Sequence, residues 1–160
     1  MSVGFKMIAK TFYGFEDILA EELLALGAQK IIKGNRNVSF FGDKGFLYKS
    51  NLCLRTALKI LKPVCEFRFK DINEYYNNIY NFKWEDYLHT LDSFLINSVV
   101  FQSDVFNNSK FTSLKAKDAI ADRFRDKFKN RPSINSFNHE LRIEIHVNKN
   151  FCTISLDSSG

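Results

Sequence analysis

Strand-patterned and helix-patterned segments interleave along this chain, each closed by a glycine, a proline or a polar turn. That order confines it to an α+β fold of small layered units. Phe5–Phe12 alternates as a strand up to the Tyr13-Gly14 turn. Phe15–Leu26 then sets Phe15, Ile18, Leu19, Leu23 and Leu26 at helical spacing. Glu16, Asp17, Glu21 and Glu22 sit toward its start, where they complement the helix dipole, and Gly27 is a natural C-terminal cap. Ile31–Lys33 and Asn37–Phe41 read as a hairpin about Gly34-Asn35. A helix from Gly45 to about Leu58 follows, and Pro63 ends that unit. Beyond it, Val64–Phe69 and Ser93–Gln102 are strand-like, and Ile72–Phe82 is a short helix with a further turn at Trp84–Leu88. A basic helix runs from the Ser103–Ser109 loop to about Lys129, where Arg131-Pro132-Ser133 breaks it. Leu141–Val147 and Cys152–Leu156 alternate across Asn148-Lys149-Asn150 as a second hairpin. The division between units falls near Leu61–Pro63, giving domains 1–62 and 63–160.

At 160 residues, 45% of them hydrophobic and 26% charged, the chain can bury a core. No apolar run approaches the ~20 residues that span a bilayer, and the first residues lack a signal peptide's apolar stretch and cleavage site. No membrane partner and a cytoplasmic location are therefore expected. Cys53, Cys65 and Cys152 are widely spaced, odd in number and set among apolar neighbours, as expected of reduced core thiols. With no C-x-x-C pair and no His at ligand spacing, no zinc or other metal is expected. There is also no G-x-G-x-x-G, no G-x-x-x-x-G-K-[ST] and no G-x-S-x-G, nor a defensible Cys–His or carboxylate pair. By itself the chain shows no catalytic residue and no cofactor site.

Charge is distributed unevenly. Residues 1–62 carry ten basic and five acidic side chains, residues 63–109 three and seven, and Lys110–Arg131 eight and three. A basic helix on a compact unit suits a polyanion, because Lys and Arg displace counterions from phosphates. The plainer reading is an amphipathic surface helix, with Leu114, Ile120, Ala121, Phe124 and Phe128 on one arc and a solvated charged face opposite. Lys117 resists that reading, since it projects from the middle of the apolar arc. Thr112 or Ser113 is a candidate N-cap. Phe111 is either a stacking surface for an unpaired base or a core anchor. Lys110, Phe111, Lys115, Lys117, Arg123, Lys127 and Arg131 are the candidate nucleic-acid contacts of this segment. Asn51 and Arg55, four apart on one helix face, are a further candidate pair, although such pairs are more often structural.

Four segments together resemble the N-terminal region of the bacterial THUMP-domain RNA methyltransferases, typified by the 23S ribosomal RNA guanine-N2 methyltransferases. They are TFYGFEDILAEELLALGA (Thr11–Ala28), NVSFFGD with YKSNLCLRTA (Asn37–Ala57), KAKDAIADRFRDK with NRPSIN (Lys115–Asn135), and LRIEIHVNKNFCTISLDSSG (Leu141–Gly160). The resemblance implies an N-terminal ferredoxin-like unit followed by a THUMP domain, an RNA-binding module. It also implies, in the parent enzyme, a C-terminal methyltransferase domain that uses S-adenosylmethionine. That domain's Gly-rich loop and Asn-Pro-Pro-type motif have no counterpart here, so the chain reads as an excised fragment or as a stand-alone RNA-binding protein. Two functions are expected to compete. One is an RNA-binding, substrate-positioning region whose partner is structured RNA, ribosomal above all. The other is a protein-interaction module built on the Phe-rich, acidic middle (Glu66–Asp104).

Overall fold

A computed structural model describes residues 4–88, 93–128, 133–134 and 141–158. The elements in chain order are β1 (Phe5–Lys10), α1 (Glu16–Leu26), β2 (Gln29–Gly34), β3 (Asn37–Gly42), α2 (Lys44–Cys53) and β4 (Lys59–Arg68). They continue as α3 (Ile72–Asn81), β5 (Ser93–Phe101), α4 (Ser109–Phe128), β6 (Ser133–Ile134), β7 (Leu141–Asn148) and β8 (Phe151–Asp157). The chain divides after Pro63 into two compact units, and Asp157 and Ser158 return to the first of them.

In unit one the strands run in the order β2-β3-β1-β4. β1 is antiparallel both to β3, from Phe5 opposite Gly42 to Lys10 opposite Asn37, and to β4, where Lys10 faces Lys59. Helix α1 turns Leu19 and Leu23 inward onto Met7, Ala9, Val38, Phe40 and Ile60. It stops where expected, because Gly27 takes the left-handed conformation (φ 104°) and its N–H reaches the carbonyls of Leu23 and Leu24. Asp43 starts α2 by accepting from the Phe46 N–H at 2.8 Å.

Three expectations fail in this region. Helix α2 ends at Cys53 rather than near Leu58, because other groups take the next amides. The Glu22 carboxylate accepts from the Arg55 and Thr56 N–H groups at 2.8 and 3.1 Å, and the Lys10 carbonyl accepts from Leu58 at 2.7 Å. Val64–Phe69 is not a strand of its own, since β4 runs from Lys59 through Pro63 to Arg68. Proline lacks a ladder N–H, but its fixed φ suits extended backbone. Cys53 is exposed, Cys65 half-buried and only Cys152 buried, so the three thiols are not all core residues.

Unit two orders its strands β4-β8-β7-β5-β6. The expected hairpin is present: β7 and β8 pair antiparallel from Ile143 opposite Leu156 to Asn148 opposite Phe151, with Lys149 at φ 56° in the turn. β5 and β7 are parallel along Phe94–Phe101, and parallel neighbours need a crossover, which α4 begins. The aromatic middle mostly turns inward. Phe69, Tyr75, Trp84 and Phe94 are buried with Phe106, Ile120, Phe124, Ile143 and Ile145 in one core. That spends on packing most of the side chains the protein-interaction reading needed.

Candidate nucleic-acid interface

Helix α4 begins earlier than Thr112 or Ser113, because Asn108 caps it. The Asn108 Oδ1 accepts from the Lys110 N–H at 2.7 Å and the Phe111 N–H at 3.3 Å. Lys110 and Phe111 therefore lie in the first helical turn, not before it. Three further bonds fix that turn. The Thr112 hydroxyl donates to the Asn108 carbonyl at 2.9 Å, the buried Tyr75 hydroxyl donates to the Thr112 carbonyl at 2.9 Å, and Ser113 Oγ meets Ser98 Oγ at 2.6 Å.

The buried residues of α4 are Thr112, Ala116, Ala119, Ile120, Ala121, Arg123 and Phe124, so Ile120, Ala121 and Phe124 lie inward as expected. The rest of the expected arc is corrected: Leu114 and Phe128 are 45% and 46% exposed. Lys117 consequently stands at the flank, half-buried, and not in mid-core. The error came from two polar residues, Thr112 and Arg123, that the fold buries.

The cations of α4 fall into two groups. Arg123 is buried, and its guanidinium grips Glu85 with two bonds of 2.8 and 2.7 Å while Nη1 donates to the Tyr80 carbonyl at 2.8 Å. Bonding to Arg123 holds the Glu85 carboxyl well down, at about 2. Lys127 Nζ lies 3.4 Å from the same carboxylate, and Arg125 pairs with Asp122 at 3.3 Å. Nearby, the hydroxyls of Tyr76 and Tyr80 on α3 donate to Asp122 and Asp126, binding α3 to α4. Arg123 is therefore a structural cation and not a phosphate contact, and Lys127 shares its counterion. Arg131 lies outside the described residues.

At the other end, Lys110, Lys115 and Lys117 form no ion pair among the described residues. Phe111 is 40% exposed. It leans on buried Phe106 with ring centroids 6.1 Å apart and lies 5.8 Å from the Lys115 ammonium. It is thus both anchored and presented. Beside the helix start lies a cavity of about 540 Å³, lined by Ser98, Val99, Val100, Gln102, Ser103, Phe106, Asn107 and Ser109. These lining residues were missed from the sequence, although the polar run Asn107-Asn108-Ser109 before a helix is the signal for the cap.

Asn51 and Arg55 do not form the expected pair on one helix face, since α2 has ended before Arg55. The Asn51 amide donates to the Leu47 carbonyl at 3.1 Å and to Ser158 Oγ at 3.3 Å, which is a structural role. Arg55 is exposed on unit one. Among the described residues no helix is long and apolar enough to cross a membrane. Nor does any group of three His, Cys, Asp or Glu there make a metal site.

Two α+β units, one bearing a cationic helix start that makes no ion pair among the described residues, define the class of module to which comparison with known proteins then gives a family. Residues 69–157 match the THUMP domain and residues 6–61 the RlmL ferredoxin-like domain. The chain belongs to the THUMP domain family. It is 33% identical over 160 residues to the ribosomal RNA large subunit methyltransferase K/L of Syntrophotalea carbinolica, covering 100% of this chain and 22% of that protein. The structure is similar to that of a possible methylase from Clostridium difficile 630, with a TM-score of 0.81 at 24% identity over 97% of this chain and 41% of that one. It also resembles SMU.472, a putative methyltransferase complexed with SAH, with a TM-score of 0.76 at 26% identity over 98% and 42% of the two chains. The chain thus spans about a fifth of the length of its K/L relative.

Proposed function

We propose that this chain is the RNA-binding, substrate-positioning region of an S-adenosylmethionine-dependent methyltransferase that acts on large-subunit ribosomal RNA in the cytoplasm. The observation that carries this reading is the division of cations along α4. Those in its second half pair with Glu85 and Asp122, whereas Lys110, Lys115 and Lys117 make no ion pair among the described residues and stand near an exposed ring and a cavity. Phosphates of a structured RNA are the complementary partner, and contacts of this kind fix position without reading sequence. The K/L relative and the SAH complex support a C-terminal domain that binds the cofactor and transfers the methyl group. The acceptor in this reading is the exocyclic amine of a guanine, reached by that domain while α4 holds the RNA elsewhere.

Fluorescence anisotropy with a labelled fragment of large-subunit ribosomal RNA tests the RNA contact. Binding should weaken steeply with salt. K115A/K117A should lose about tenfold in affinity and lower the slope of log K against log salt by about two. Binding indifferent to salt, or a double variant that binds as the parent does, would refute the contact. Nucleoside mass spectrometry of RNA treated with the full-length enzyme tests the acceptor: N2-methylguanosine is expected, and any other methylated nucleoside rejects it.

A further inference from the structure

Unit one carries an aromatic turn that its own packing leaves outside. Phe12, Tyr13 and Phe15 are 59%, 76% and 43% exposed within four residues. The Phe12 and Phe15 rings meet edge to face at 6.1 Å. Three large rings in water are unfavourable unless something covers them. Yet the turn is not loose, because two side chains of its own unit lock it. Buried Thr11 donates its N–H to the Arg36 carbonyl at 2.9 Å and its hydroxyl to the Thr56 carbonyl at 2.6 Å. Glu16 accepts from the Gly14 N–H at 2.8 Å and from the Arg36 N–H at 3.0 Å.

These bonds bring two arginine-bearing segments to the aromatic turn. Arg36 sits at φ 61°, a left-handed position that glycine or asparagine occupies more cheaply, and its side chain is exposed. Arg55, its backbone held by Glu22, is exposed as well. Residues 1–62 carry ten basic and five acidic side chains, so the unit complements a polyanion. Rigid exposed rings beside cations are the combination by which single-stranded nucleic acid is held: rings stack on bases, while cations follow the backbone.

We infer that the Phe12–Phe15 turn is a stacking platform for unpaired bases of RNA, with Arg36 and Arg55 taking the adjoining phosphates. This rests on the RNA reading above, but it names a second contact, on a different unit from α4. The test uses the whole 160-residue chain and a fluorescein-labelled, unstructured RNA dodecamer, beside an abasic dodecamer with the same number of phosphates. F12A/Y13A alters two exposed side chains, and its thermal unfolding should match the parent's. It should bind the RNA dodecamer about tenfold or more weakly and the abasic strand unchanged. R36Q should weaken both strands a few-fold and lower the salt slope by about one. If the parent chain bound neither strand, the RNA reading itself would fall. If the parent bound RNA and F12A/Y13A bound it equally, only the platform would fall. An equal loss on the abasic strand overturns stacking. So does a variant that binds RNA normally but sediments as a smaller species than the parent, since the rings would then join copies of the chain.

Discussion

Replacing Glu85 by glutamine removes the charge that holds Arg123 inside unit two and separates a structural cation from an RNA contact. Arg123 is 6% exposed, and its partner's side chain is 22% exposed. Folding lowers the Glu85 carboxyl from an ordinary value of 4.5 to about 2, chiefly through its bonds to Arg123. At 1.36 kcal/mol per pH unit that is about 3 kcal/mol, and exposure of a fifth of the side chain brings the expectation to about 2–3 kcal/mol. Removing one partner of a buried pair independently costs about 3–5 kcal/mol, which agrees in scale. The sign follows from the lowered value. The contribution is complete above pH 4.5 and disappears as pH falls through about 2. Trp84, the single tryptophan, is buried next to Glu85, so its fluorescence reports this unit during urea unfolding. At neutral pH the midpoint of E85Q should fall by about 1–3 M urea, and the gap between the two proteins should close near pH 2. A variant as stable as the parent at pH 7, or a gap unchanged at pH 2, refutes the reasoning. A role of Arg123 on RNA would instead appear as R123K losing affinity with its stability intact.

Two further outcomes check the local structure. N108A removes the acceptor for the Lys110 and Phe111 N–H groups and should cost about 1 kcal/mol in the same urea assay; a loss below about 0.5 kcal/mol, the low end for such caps, rejects the cap. Of the three thiols, exposed Cys53 should react at once with a colorimetric disulfide reagent. Burial raises both Cys65 and Cys152, the latter far more, so Cys152 should react only on unfolding. Prompt modification of Cys152 in the native chain contradicts its placement.

Where a feature depends on neighbours in sequence, the sequence revealed it. The β7–β8 hairpin follows from two alternating runs about a three-residue polar turn, and the end of α1 follows from Gly27. The ferredoxin-like and THUMP order followed from resemblance, and residues 6–61 and 69–157 match those two domains. Features that depend on distant partners were not legible. Arg123 looked like a surface cation because its counterion lies 38 residues upstream, and the early end of α2 depends on Glu22, 33 residues before Arg55. The inward face of α4 was misread for a similar reason. Thr112 is polar by composition, and only its bonds to Asn108 and Tyr75 let it lie inside.

Ser158 donates both its N–H and its hydroxyl to the Ile60 carbonyl, across a separation of 98 residues. The first unit therefore cannot complete its own hydrogen bonding from its own contiguous stretch of chain. On a ribosome adding about 5–20 residues per second, Ile60 waits about 5–20 s for its partner to be made. Throughout that interval β1 to β4 exist as an unfinished sheet, with the carbonyl of Ile60 open to water.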